Sequence, residues 1–268
     1  MKKAILMLFA AFTTTGFASA KKDAEIKDKP HTYILVHGAW QAPYVWDEVR
    51  NGLLKKGNKV IVIELPGHGS DKALPHTLSL AIYSNTVIEA ISKTDGKVIL
   101  VGHSMAGMVI TNVAEQIPSK ISKLVYIGAF LPKDGQALTD LAYSDPDSKL
   151  GPNLVPSADQ LTLDVKQEEL INLFIEDGST ANKELLQKNY RAEPAIPFTN
   201  KVALTKKNFG SVEKVYIKTL QDIVISPGLQ DRMIAETGIK TVYGLNTSHS
   251  PFLSQPKEVT KLLLEIGK

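Results

Sequence analysis

The sequence contains no cysteine, and that absence removes several kinds of chemistry at once. No disulfide can form, so an oxidising compartment would find no thiol to pair and stability must come from the packed core. Thiolate metal sites and cysteine nucleophiles are excluded with it. The chain also lacks an HExxH helix, a phosphate-binding P-loop and a Rossmann glycine fingerprint. No metal or cofactor is therefore implied. Low-complexity tracts and fixed-period repeats are missing too.

Charge of one sign is scarce as well. The formal net charge is +3, and residues 1–20 (MKKAILMLFAAFTTTGFASA) hold two lysines and no acid, so removing them lowers it to +1. A nearly neutral protein gives no electrostatic case for nucleic acid. Long apolar runs are absent beyond that N-terminal stretch. There, Lys2 and Lys3 precede a short apolar core from Ala4 to Phe12, and Ala18-Ser19-Ala20 offers the small residues a signal peptidase accepts. The run falls well short of the ~20 residues that span a bilayer. The expectation is a signal peptide cleaved after Ala20 and an exported protein, periplasmic or secreted, with no stable membrane anchor. Residues 21–29 (KKDAEIKDK) read as a charged lead-in.

What is present is enough apolar residue, 43% of the chain, to bury a sizeable core. Strands and helices alternate through the first half. Thr32–Val36, Lys59–Leu65, Val98–Val101 and Leu124–Ile127 read as strands, and apolar residues at helical spacing (Trp46, Val49, Leu53; Leu80, Tyr83, Val87, Ile91) separate them. From Leu131 to about Gly210 the pattern breaks into proline-rich stretches, and strands return at Val215–Thr219 and Lys240–Leu245 before a C-terminal helix. This predicts an α/β fold, a mostly parallel sheet flanked by helices with an inserted helical cap. The expected core is residues 30–130 and 213–268, with the cap over 131–212.

The stretch KVILVGHSMAG (97–107) places Ser104 between a buried strand and a helix. A chain turning that sharply needs small residues two before and two after the serine, and Gly102 and Ala106 supply them. The pattern G-x-S-x-[GA] alone arises by chance in roughly one or two of every ten chains this long, so its context between strand and helix decides. A serine hydroxyl needs a base. Of the six histidines, His103 lies within the elbow and is expected to point away from the serine. His37 and His68 lie in turns (HG and PGHG), and His31 and His76 precede a strand and a helix. His249, in the NTSHSPF loop after the last strand, is left as the base. Asp222, just after the Val215–Thr219 strand, is the favoured carboxylate to orient it. Asp134 is the main competitor, and Asp231 is expected inside a helix. The order Ser, Asp, His is that of the α/β-hydrolase arrangement. Oxyanion donors are expected from the backbone N–H groups of Met105 and of Ala39, in YILVHGAW (33–40), where Gly38 allows close approach.

Taken together, LVHGAW, ELPGHGSD, VGHSMAG, the LP at 131–132, EPAIPF (193–198), Asp222 and SHSPF resemble the α/β-hydrolase superfamily. The resemblance is to the branch of plant methyl esterases, hydroxynitrile lyases and small bacterial esterases. It implies a serine hydrolase that cleaves small carboxylic esters through an acyl-enzyme, with a small-molecule ester as its partner. Two alternatives are a carbon–carbon lyase on the same triad and a non-catalytic ligand-binding receptor of the same fold. In the better-known lyases of this branch a Thr follows the first-strand His and a Lys follows the catalytic His; here those places hold Gly38 and Ser250. Without that lysine no cation is at hand for departing cyanide, which favours ester hydrolysis. Neither the particular ester nor the oligomeric state is legible in these residues.

Overall fold

The computed structural model describes residues 29–268. The expected signal peptide (1–20) and all but the last residue of the lead-in (21–29) lie outside the described residues.

Six parallel strands form the central sheet: β1 (Thr32–Val36), β2 (Lys59–Ile63), β3 (Val98–His103), β4 (Ile121–Ile127), β8 (Glu213–Thr219) and β9 (Thr241–Leu245), in the order β2-β1-β3-β4-β8-β9. β3 is buried along its whole length, as a strand covered on both faces must be. Three helices connect the first four strands: α1 (Asp47–Lys55), α2 (Leu80–Ser92) and α3 (Ala106–Gln116). The chain leaves β1 towards one edge and β3 towards the other. Right-handed crossovers therefore put α1 and α3 on opposite faces. The strand order reverses between β1 and β3, the crevice where open α/β sheets bind ligands beyond their C-terminal strand ends.

Between β4 and β8 the chain builds a separate layer. It contains the helices α4 (Leu138–Ala142), α5 (Leu170–Ile175), α6 (Thr180–Asn189) and α7 (Ile196–Thr199). It also contains a small antiparallel sheet of β5 (Leu154–Pro156), β6 (Thr162–Val165) and β7 (Glu193–Pro194), in the order β5-β6-β7. A helical cap was the expectation, and the helices are there; the small sheet beside them went unread because its strands are too short, two to four residues, to show alternation. The fold closes with α8 (Pro227–Thr237), α9 (Pro251–Ser254) and α10 (Pro256–Gly267). Trp46, wholly buried at the start of α1, packs its ring on Phe252 of α9 at 4.5 Å. That contact ties the loop after β1 to the loop after β9.

Candidate active site

Val36 of β1 pairs with Gly102 of β3, so the turns that follow these strands open side by side. After β3 the backbone bends at Ser104, whose φ of +53° lies in the left-handed region that a β-carbon disfavours. Hydrogen bonds hold the bend: Ser104 N–H donates to Ile127 O (3.4 Å), and Ser104 O accepts from Gly107 N–H (3.0 Å) and Phe130 N–H (3.1 Å). A β-carbon on Gly102 would lie 2.8 Å from Ala106 O, so only glycine fits there. Ala106 is wholly buried and fills the second small position. Gly107 is more constrained than either, since a β-carbon would sit 2.0 Å from Phe130 O. Sequence reasoning missed Gly107, and its glycine identity is the only signal it carries.

His249 lies in the loop between β9 and α9, and its Nδ1 is 2.8 Å from Asp222 Oδ2. The same carboxylate oxygen accepts from Thr219 Oγ1 at 2.7 Å, and Oδ1 accepts from the N–H groups of Val224 (2.8 Å) and Ile225 (3.0 Å). A carboxylate loaded with donors in this way takes its last hydrogen bond from Nδ1–H, which leaves the Nε2 lone pair of His249 as the basic position. Gln230 braces the arrangement by accepting from Thr219 N–H (3.0 Å) and donating to Thr219 Oγ1 (3.1 Å) and Ile225 O (2.8 Å). Gln41 donates to Ser250 Oγ at 2.9 Å, and Ser248 donates to Asp177 of the cap. All these anchors hold the loop that presents the imidazole.

His103 turns its ring to that loop rather than to solvent. Its Nε2 is 2.8 Å from His249 O, so Nε2 carries the hydrogen and Nδ1 is an acceptor. Burial, then the neighbouring His249, holds its pKa well below the ordinary value. His103 is thus a neutral link from the elbow to the loop that carries His249. Ser104, Asp222 and His249 are all buried; Asp222 and His249 are bonded directly, and His103, next to Ser104 in the chain, bonds to the His249 carbonyl.

The loop after β1 closes over the elbow. A β-carbon on Gly38 would lie 2.9 Å from Ser104 Cβ and 2.6 Å from His103 Nδ1. The Gly38 carbonyl faces His37 Nδ1 at 2.9 Å, while His37 Nε2 accepts from Leu65 N–H at 3.2 Å. Those partners fix a neutral His37 with its hydrogen on Nδ1. Burial and the adjacent His68 push its pKa down to about 3. Because a trans peptide carries its C=O and N–H on opposite sides, pinning Gly38 O also sets the direction of Ala39 N–H. Among the described residues, neither Ala39 N–H nor Met105 N–H is taken by another group; Met105 follows Ser104 in the chain, and Ala39 follows Gly38, which packs against the Ser104 side chain. Phe174 of the cap reaches within 6.0 Å of the His249 ring and 5.5 Å of Trp40.

The remaining candidates lie elsewhere. Asp134 accepts from Leu204 N–H at 2.8 Å near the surface, and Asp231, on the exposed face of α8, pairs with Lys218. His76 is exposed, and the His31 ring sits against Tyr33 at 6.3 Å. His68 is more than the turn residue its motif suggests, because it is buried against Glu193 with Nε2–Oε2 at 2.7 Å. Sequence reasoning missed this pair; Glu193 stood within EPAIPF but carried no signal of its own.

The description of the Alpha/beta hydrolase family matches residues 33–262. Methylesterase 17 of Arabidopsis thaliana is 31% identical over 252 residues, covering 88% of this chain and 91% of that protein. Putative methylesterase 13, chloroplastic, from the same plant is 31% identical over 253 residues, but this chain spans only 56% of its length. Among solved structures, an extracellular alpha/beta-hydrolase from a Paenibacillus species shares 27% identity at a TM-score of 0.77, over 89% of this chain and 100% of that one. That hydrolase is described as sharing structural and functional homology with tobacco salicylic acid binding protein 2.

Proposed function

The chain belongs to the alpha/beta hydrolase family, in the branch that holds the methylesterases, and on that premise we propose that it is a serine esterase acting on small carboxylic esters. Ser104 Oγ attacks the ester carbonyl while His249 Nε2 takes its proton, and Asp222 holds the imidazole in the required tautomer and stabilises its charged form. The N–H groups of Ala39 and Met105 receive the developing oxyanion, each donor contributing ~3 kcal/mol to the barrier reduction. His249 then protonates the departing alcohol. Water, activated by the same imidazole, attacks the acyl-enzyme and releases the acid and Ser104.

The observation that carries this reading is the 2.8 Å Asp222–His249 hydrogen bond, with the His249 carbonyl tied at 2.8 Å to His103, the neighbour of a serine held at φ +53°. Against lyase chemistry, the Ser250 hydroxyl is engaged by Gln41, and the position where those lyases carry a lysine offers no cation. A methyl ester fits the names of the relatives, and a panel of methyl and aryl esters varying acyl and alcohol size would rank the candidates. Export is part of the proposal too, supported by the N-terminal sequence and by similarity to an extracellular hydrolase. The deciding experiment is labelling by a fluorophosphonate followed by intact-mass analysis. One adduct on Ser104, absent in Ser104→Ala, is expected; no adduct, or unchanged turnover in Ser104→Ala, overturns the reading. Cyanide release from mandelonitrile exceeding ester hydrolysis would replace it with the lyase.

A further inference from the structure

Trp40, the residue after the Ala39 donor, has φ +59°, a conformation a tryptophan adopts only when its surroundings impose it. Its polar groups all go to the cap. The backbone N–H donates to Glu193 Oε2 at 2.9 Å, the indole Nε1–H to Leu163 O at 2.8 Å, and the carbonyl accepts from Arg191 N–H at 3.5 Å. Arg191 continues the attachment through Nη1, which donates to Gly69 O and Asp71 O at 2.9 Å each. Cap residues 191–194 thus run as a strap across the loop after β1 and the turn after β2.

Glu193 is wholly buried, so its carboxylate needs a partner of opposite charge. His68 supplies one. Its Nε2 faces the carboxylate at 2.7 Å and its Nδ1 faces Pro66 O at 3.1 Å. Both partners are acceptors, so both ring nitrogens must carry hydrogen and the ring is an imidazolium.

We infer that Glu193, charged and held by His68, is a positioning residue for the oxyanion loop: it fixes the Ala39–Trp40 peptide, as His37 fixes the Gly38–Ala39 peptide, so that Ala39 N–H stays aimed at the oxyanion. This rests on the esterase reading for its catalytic consequence, though not for its structural one. Two consecutive peptide planes are each pinned by a buried side chain, and the donor lies between the pins. The cap is thereby a part of the catalytic geometry as well as a cover.

The test measures kcat and KM for p-nitrophenyl acetate, inhibition by a trifluoromethyl ketone whose hemiketal mimics the oxyanion, and amide hydrogen exchange over residues 38–41. Glu193→Ala is expected to lower kcat about tenfold to hundredfold, short of the ~10²–10³ seen when a whole donor is removed. KM should stay within about twofold, ketone inhibition should weaken by the same factor as kcat, and exchange at 38–41 should speed up. Glu193→Gln keeps an acceptor for Trp40 N–H but loses charge assistance, which roughly doubles such a bond's strength; its kcat should fall by a smaller factor, about threefold to tenfold. A folded Glu193→Ala with kcat within about twofold of wild type, a loss confined to KM, or unchanged exchange overturns the inference. Should Glu193→Ala fail to fold, the isosteric Glu193→Gln decides, and wild-type kcat with wild-type exchange overturns it. If the unaltered protein neither turns over esters nor labels at Ser104, the esterase reading falls instead, and the exchange comparison still decides whether Glu193 holds the loop.

Discussion

Two buried histidine–carboxylate pairs flank the loop after β1, and the proposed chemistry assigns them opposite tasks. His249 meets Asp222 at 2.8 Å and His68 meets Glu193 at 2.7 Å, so distance and burial do not separate them. The second ring nitrogen does. In His249 it is left with a lone pair and takes no hydrogen bond among the described residues. In His68 it faces a carbonyl oxygen, so that ring is a fixed cation with nothing to accept a proton. Under the proposed mechanism the first pair is a base with its orienting group; the other is an ionic clamp. The residue types alone would not have told them apart.

The comparison breaks most readily under substitutions at the first pair. Ser104→Ala or His249→Ala should each lower kcat for an activated ester by roughly 10⁶, as members of such a unit do when removed singly, while thermal melts confirm folding. Asp222→Asn comes next, with a loss of about 10⁴, because an amide stabilises the wrong imidazole tautomer. The same carboxylate-to-amide change at Glu193 is expected to cost only about threefold to tenfold. Steady-state assays of the two amide variants side by side measure the distinction directly. Equal losses would mean that the clamp is catalytic, or that the triad is not.

Steric demands differ between the regions in the same sense. At the elbow, a β-carbon on Gly107 meets a backbone oxygen at 2.0 Å, which cannot move without shifting the loop after β4. At the clamp, a β-carbon on Gly67 meets Leu78 Cδ1 at 2.6 Å, the far end of a flexible side chain. Urea unfolding should therefore show Gly107→Ala destabilised by about 3 kcal/mol, the upper range for overpacking. Gly67→Ala should lose about 1–2 kcal/mol, chiefly from placing an L-residue at φ +80°. The reverse ranking would mean that the elbow is the softer region.

What the sequence made legible follows the same division. The elbow announces itself because strain at Ser104 demands small neighbours within a few residues, and because β3 and α3 flank it directly. The positions of Asp222 and His249 followed from chain order and sheet edge. Nothing local marks the clamp: His68 and Glu193 lie 125 residues apart, one in a turn motif and the other in a two-residue strand. Their pairing exists only once the cap is laid over the sheet. Long-range contacts between short, irregular segments leave no periodicity to read. The partner of His103 was hidden for a related reason, since it is a backbone carbonyl 146 residues away.

The smallest expected effect is a pH dependence that belongs to the clamp alone. Burial opposes the charge on His68, but Glu193's charge and hydrogen bond outweigh it, and the pKa stands above the ordinary 6.5. A raised folded-state pKa means that the unfolded chain releases the proton first, so the stabilisation is complete below 6.5 and is lost as pH rises through the folded value. Among the groups around His68, the His37 ring at 4.9 Å has a pKa of about 3, and the Tyr83 ring at 5.6 Å titrates far above neutrality. Asp71, on the same turn, is held below the usual carboxylate range by hydrogen bonds from Gly67 and Ala73 N–H. None of these titrates in the window between. The difference in melting temperature between wild type and His68→Gln should accordingly be constant in mildly acidic buffer and shrink steadily above pH 6.5. A difference that grows with pH would show that His68 is neutral in the folded protein, which would leave Glu193 unpaired and remove the physical basis of the clamp.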